Sequence, residues 1–300
     1  MNLISLHSCP RSGSTWLQSI FEAHPNIKTV YQPLFSYAFK NQINEDSSKK
    51  DFDDFVNNIK NTDDEFCCMK TNYHTNNNSI KNISFKKDII NNVLMKNVHH
   101  HNLIETFIKL YPTIKIIGLI REPCSVIYSQ MQAKHEKLED WLDGKDKNLN
   151  NDENFFGFNK WLEVKEIFSY IKKKYPNNII IVNYEDLVSN TKYELDKICE
   201  FCNINLHKNM LESIDIMKSK NDNYDYSVYK NEDTLNKWKG KLDEKIVSYI
   251  INKTIRVGIY VRVYNEKNII EWMDYHYKCG FDFILFYDDY SEPSVKSIIE

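Results

Sequence analysis

Ten consecutive residues near the N-terminus, Ser8-Cys9-Pro10-Arg11-Ser12-Gly13-Ser14-Thr15-Trp16-Leu17, hold one arginine, four hydroxyl side chains and one of only seven glycines in the chain. They follow the apolar run Leu3-Ile4-Ser5-Leu6 and open a segment of helical periodicity, so they form a strand-to-helix junction. Backbone N–H groups at the start of a helix have no partner within it, and the positive end of the helix dipole favours an anion. Gly13 permits the tight turn, Arg11 supplies fixed positive charge, and Ser12, Ser14 and Thr15 supply donors. The loop is therefore predicted to cradle a phosphate-like group. It is not a Walker A loop: G-x-x-x-x-G-K-[ST] is absent and no lysine precedes Ser14, which weakens an ordinary kinase or ATPase reading.

A second cluster follows an apolar run over 114–120: Arg121-Glu122-Pro123-Cys124-Ser125-Val126-Ile127-Tyr128-Ser129. Arg121 falls at the carboxyl end of a strand, where open α/β sheets hold ligands, and Ser129 lies two turns into the next helix. The two could converge on one phosphate. Taken alone, an arginine at a strand end is more often a salt-bridge partner. His99-His100-His101 reads as a polar loop and cap; with no carboxylate or cysteine ligand at metal-site spacing, no metal is predicted. The seven cysteines are odd in number and scattered, as reduced thiols would be, and Cys199-x-x-Cys202 lies in a helical pattern without a second pair for zinc.

These clusters need a scaffold that brings strand ends together. Strands are predicted over 3–7, 66–70, 114–120, 179–183, 256–261 and 283–287, and helices over 15–23, 52–59, 87–94, 103–110, 124–134, 158–173, 192–202, 243–251 and 268–278. Alternation of this kind predicts a doubly wound α/β fold, a P-loop-like parallel sheet with helices on both faces. Hydrophobic residues make up 42% and charged residues 27%, an ordinary globular balance. A net charge of −3 argues against general nucleic-acid binding, so any anion site must be local. No apolar stretch is long enough to span a membrane and no signal-peptide pattern precedes residue 3, which reads as a soluble, cytoplasmic chain. Residues 136–153, rich in charge and asparagine, read as a solvated loop, with a substrate lid as the alternative.

Together, P-R-S-G-S-T-W-L and R-x-P-x-x-x-x-x-S resemble the 5′-phosphosulfate loop and 3′-phosphate motif of sulfotransferases that use 3′-phosphoadenosine 5′-phosphosulfate (PAPS) as donor. Val182-Asn183-Tyr184-Glu185-Asp186-Leu187 is similar to that family's Y-E-D-L strand, and Asn231-Glu232-Asp233-Thr234-Leu235-Asn236-Lys237-Trp238 resembles the N-x-x-x-L-x-K-W segment of its tyrosylprotein branch. The four motifs stand in the family's order. The resemblance implies that Arg11, Ser12, Gly13, Ser14 and Thr15 hold the 5′-phosphosulfate, Arg121 and Ser129 the 3′-phosphate, with Tyr184 by the adenine and Lys237 adding charge. For Tyr184 a packed strand residue is an equal alternative, and Trp238 reads as a core anchor. Sulfuryl transfer to a hydroxyl of a glycan or protein tyrosine is the implied reaction, and it requires no metal. Arg11 would stabilise the leaving phosphate, with Lys70 at a strand end beside it. The tyrosylprotein branch has its glutamate base after a His-Pro such as His24-Pro25, where this chain has Gln32, and glutamine cannot be a base. His74, just past Lys70-Thr71, is the first substitute. The domain so defined is predicted over residues 1–252.

From residue 255 the pattern changes to strand, helix and strand, with Asn265-Glu266, Glu271-Trp272, His276 and Asp288-Asp289 at intervals that resemble the start of a GT-A glycosyltransferase domain. Residues 255–300 are expected to be a partial βαβ segment, too short to hold a nucleotide sugar. Two alternatives stand beside sulfuryl transfer: a glycosyltransferase fragment fused to a nucleotide-binding domain, and a non-catalytic module that binds a 3′-phosphonucleotide.

Overall fold

The computed structural model describes residues 2–71, 85–132, 157–219, 235–254, 258–278 and 283–299. His74, the 136–153 stretch and residues 231–234 lie outside them. The chain divides into two compact units, residues 1–242 and 243–300.

The larger unit is a five-stranded, wholly parallel sheet in the order β2-β3-β1-β4-β5, formed by β1 (Asn2–Ser8), β2 (Ile27–Tyr31), β3 (Asn92–Asn97), β4 (Lys115–Ile120) and β5 (Ile179–Asn183). Helices cover both faces. Alternate β1 residues Ile4 and Leu6 join Trp16, Leu17, Ile117, Leu119, Val182, Leu195, Ile198 and Met210 in one core. From the opposite face, His7 packs near Phe107, Phe107 near Phe52, and Gly118 lies under Phe168. Sheets buried on both sides read as continuous apolar runs, which is how β3 (Asn-Val-Leu-Met-Lys-Asn) is written.

That property accounts for one misread element, and local side-chain bonding for another. The expected helix over 87–94 is instead a lead-in to β3, because an apolar run buried on both faces has no period that separates strand from helix. The expected strand over 66–70 is a turn: the Asp64 carboxylate accepts from Cys67 N at 2.8 Å, Lys70 N donates to Glu65 O at 2.7 Å, and Met69 adopts a positive φ of 55°. Local side-chain bonding there outcompetes extension. β2 was not expected at all; its five residues lie between His24-Pro25 and Gln32-Pro33.

Strand order reverses at β1: the chain proceeds outward to β2 on one side and later to β4 and β5 on the other. The carboxyl ends of β1 and β4 therefore flank a topological switch point, the place where open α/β sheets form a crevice. Both chemical clusters emerge there.

The smaller unit pairs β6 (Gly258–Val263) with β7 (Phe283–Asp288) in parallel, joined by the helix Ile269–Lys278. Val263, Ile269 and Val295 form its core. Asp288 accepts from the backbone N–H groups of Ser291 and Val295 at 2.9 and 2.8 Å, and Arg262 pairs with Asp289 at 2.6 Å. No helix among the described residues is long and apolar enough to cross a membrane.

Gly118 shows how tightly helix Phe158–Lys174 seats on the sheet: a Cβ there would approach Phe168 Cδ2 to 2.8 Å. Gly118→Ala is expected to destabilise the fold by about 1–3 kcal/mol through overpacking. Urea unfolding would measure the loss, and pairing the change with Phe168→Leu should recover part of it.

Candidate functional site

The first cluster folds as a loop between β1 and helix Ser14–Glu22. Arg11 and Gly13 both take positive φ, 68° and 88°, and Ser12 N closes the turn on Cys9 O at 3.3 Å. Gly13 occupies the helix N-cap, so no side chain caps the first turn. Glycine is required for two reasons. Its conformation suits no other residue well, and a Cβ would come within 2.3 Å of Tyr184 Cε2.

Tyr184 opens the helix Tyr184–Ser189 directly after β5 and is only 1% exposed. Its ring lies under Gly13, edge-on to Trp16 at 6.1 Å, and carries the Arg121 guanidinium on its face at 4.7 Å. The ring is packed, but at the start of a helix rather than within the expected strand.

The second cluster docks onto the first. Arg121 Nη1 donates to the Arg11 carbonyl oxygen at 3.0 Å, and Arg11 Nε donates to Ser129 Oγ at 3.0 Å. The Glu122 carboxylate caps helix Pro123–Gln132 by accepting from Cys124 N and Ser125 N at 2.9 and 2.6 Å. Glu185 accepts from Glu122 N at 3.0 Å, and Trp161 Nε1 donates to the Arg121 carbonyl at 2.9 Å. Burial lowers the Arg121 pKa, opposed by Tyr184 and Glu185; an arginine stays charged under such shifts. Ser125 Oγ donates to Leu235 O at 3.2 Å, which tethers the turn carrying the exposed Lys237. Arg11, Ser12, Gly13, Ser14, Thr15, Arg121 and Ser129 are thus drawn to one crevice. Ser12 Oγ is buried there with no hydrogen-bond partner among the described residues.

Lys70 does not stand at a strand end; it is exposed at the close of a turn. The strand-end lysine is Lys96, on β3, which sequence reasoning missed because it read that run as a helix. Lys96 is 2% exposed, with Nζ 3.4 Å from Thr15 Oγ1 and 4.2 Å from the Tyr31 ring centroid. Burial pulls its pKa down to about 7, with no carboxylate contributing. Its carbonyl accepts from Gln32 N at 2.7 Å, so Gln32 sits at the neighbouring strand end, buried, in left-handed conformation. Three residues beyond Lys96, His99 stacks on Phe35 at 5.2 Å. His101 begins a 3-10 turn and is buried rather than a polar cap: its Nδ1 lies 3.1 Å from His7 Nδ1, and His7 Nε2 bonds Ser5 Oγ at 2.8 Å. Burial lowers the His7 pKa to about 3 and drives that of His101 well below its ordinary value, so both rings are neutral. Among the described residues no group of three or more His, Cys, Asp or Glu is arranged to hold a metal ion.

The sulfotransferase family matches residues 4–208. A Caenorhabditis briggsae protein named "Putative protein-tyrosine sulfotransferase" is 22% identical over 220 residues, covering 73% of this chain and 72% of the relative. The solved sulfotransferase domain from the curacin biosynthetic pathway matches with a TM-score of 0.50 and 19% identity over 84% of this chain and 96% of that one. A mouse sulfotransferase complexed with PAP has a TM-score of 0.48 and 14% identity, over 93% and 89% of the two chains.

The buried Lys96 sets a pH signature for the ligand-free protein. An unfolded lysine keeps its proton up to its ordinary pKa, whereas the folded one releases it near 7, so stability attributable to this group rises between those limits and is lost as pH falls through about 7. Lys96→Met should therefore melt higher than the parent at pH 6, with the gap closing toward pH 10. A constant gap across thermal melts at both pH values would show that Lys96 is not buried as a suppressed cation.

Proposed function

The chain belongs to the sulfotransferase family, and on that premise we propose that it moves a sulfuryl group from PAPS to a hydroxyl acceptor, with its donor crevice at the β1/β4 switch point. The observation carrying this reading is the direct contact between the two clusters, Arg11 to Ser129 and Arg121 to the Arg11 carbonyl. Two guanidinium groups, an uncapped helix start and the partnerless Ser12 hydroxyl fit a ligand with phosphates at two ends.

When bound, PAPS supplies the activated sulfuryl group, so no metal need enter. The chain's task is to hold donor and acceptor in line and to neutralise charge on the leaving and equatorial oxygens. The loop N–H groups with Ser12, Ser14 and Thr15 orient the 5′ end. Arg121 and Ser129 take the 3′-phosphate. Lys96, next to Thr15, fills the role that Lys70 was expected to fill: recharged by the incoming anion, it stabilises the leaving phosphate oxygen. His99, three residues past Lys96 and stacked on Phe35, is the base we propose in place of Gln32, with His74 as the alternative.

A phenol, with a pKa near 10, needs less help from a base than a sugar hydroxyl does, and a protein tyrosine is the acceptor we propose, with a glycan hydroxyl as the alternative. The name of the nematode relative points the same way. Gln32 also supports a second reading, donor binding without transfer. The strand-helix-strand order of the smaller unit is compatible with a GT-A-like origin, and that likeness rests on its own sequence alone.

Calorimetric titration with 3′,5′-bisphosphoadenosine, with ATP as control, tests the donor site. Arg121→Ala should weaken the bisphosphate at least tenfold. A well-folded parent protein that ignores the bisphosphate would sink the reading. With PAPS and a tyrosine peptide, His99→Ala should lower kcat about 100-fold or more while leaving donor affinity intact; bisphosphate binding without any turnover in the parent would establish the non-catalytic alternative.

A further inference from the structure

Gln32 ends β2 in a conformation that a glutamine seldom adopts. Its φ of 41° lies in the left-handed region, and its main chain is pinned from both sides: N donates to Lys96 O at 2.7 Å, while the carbonyl accepts from Phe35 N and Ser36 N, each at 3.1 Å. Strain of this kind persists only where the surroundings impose it, and it gathers at working sites. The residue is 2% exposed, and its side-chain Oε1 is buried with no hydrogen-bond partner among the described residues. An unmade acceptor of this kind costs stability and calls for a reason.

The neighbours of Gln32 supply one. Lys96, to which its N–H is bonded, has Nζ 3.4 Å from Thr15 Oγ1 in the loop after β1. Phe35, whose N–H its carbonyl accepts, stacks on His99 at 5.2 Å. The main chain of Gln32 is thus tied both to the lysine beside the donor loop and to the ring that packs on the proposed base. An amide oxygen accepts a hydrogen bond and takes no proton. A donor that arrives with a ligand satisfies it, and the ligand that must bring an O–H to this corner is the molecule to be sulfated.

We propose that Gln32 Oε1 accepts a hydrogen bond from the acceptor hydroxyl and so turns that oxygen toward sulfur. The inference rests on sulfuryl transfer as read above. Phosphoryl-transfer enzymes use a glutamine in the same way, to orient a nucleophile rather than to ionise it. As the phenol oxygen bonds to sulfur, the bond from sulfur to the 5′-phosphate oxygen breaks, and its electron pair leaves with 3′,5′-bisphosphoadenosine. The phenolic proton stays with the acceptor until that new bond makes it acidic, then passes to His99.

The experiment is steady-state transfer from PAPS to a tyrosine peptide by the parent chain, Gln32→Met and Gln32→Glu, with thermal melts and bisphosphate titrations of each. Gln32→Met removes the oxygen at nearly constant size. It should melt at or above the parent, because a buried unmade acceptor is gone, while kcat/KM for the peptide falls roughly ten- to a hundredfold and bisphosphate affinity stays within about twofold. A merely structural glutamine would lose stability and rate together. Gln32→Glu keeps an oxygen acceptor and should restore transfer above the pH at which its carboxylate ionises, giving the rate a new acidic limb. A peptide bearing tetrafluorotyrosine, ionised at about pH 8 before it binds, has no proton to donate, so the deficit of Gln32→Met should shrink to less than about threefold. An equal deficit with both peptides, or a Gln32→Met protein as fast as the parent, would overturn the proposal. A parent that binds the bisphosphate without turnover would overturn it too, and one that binds no bisphosphate would overturn the donor reading from which it starts.

Discussion

The ring of Tyr184 is the platform on which the crevice is built. Gly13 can sit only where no Cβ intervenes, because one would meet the ring at 2.3 Å, and the Arg121 guanidinium lies on the ring at 4.7 Å. One buried aromatic therefore sets the height of the first loop and the direction of the second cluster's arginine. Cation–π contact with this ring adds to the nearby Glu185 charge in offsetting the burial of the guanidinium.

The sheet supplies the second half of the arrangement. With β1 central and β3 and β4 on either side, three strand ends deliver the Arg11 loop, Lys96 and Arg121 to one edge. None of these could be brought there by local structure. On the face away from Tyr184, β1 buries Ser5 and His7 against His101 and Asn97, a polar thread through an otherwise apolar layer. It ties the segment after β3 to the central strand. The hydrogen bonds along it fix one geometry more sharply than apolar packing does, although His101 Nε2 is buried without a hydrogen-bond partner among the described residues.

Legibility in the sequence followed from how local each signal was. The loop at Arg11 and the Arg121 to Ser129 cluster were readable because turn glycine, cap and charge all sit within ten residues of a strand with clear flanks. β3 was not, since Asp88-Ile89-Ile90 and Val93-Leu94-Met95 satisfy helical spacing, and only pairing with β1 and β2 makes the second triplet a strand. Misplacing that strand carried the lysine with it: Lys70 stood after an apolar run that Asp64 folds into a turn, while Lys96 ended the true strand. The contact between Arg11 and Ser129 spans 118 positions and had no local signature at all.

Gln32 and Lys96 are best understood as a pair. Their backbones are bonded across adjacent strand ends, and a carboxylate at position 32 would add an opposite charge to this corner that the amide does not. An amide there offers no such compensation, and burial alone then governs the lysine, which is why its pKa falls to about 7. In the reaction proposed above, a polyanionic donor would supply that compensation at the moment of binding, and the lysine's charge would then be a property of the loaded site rather than of the empty one.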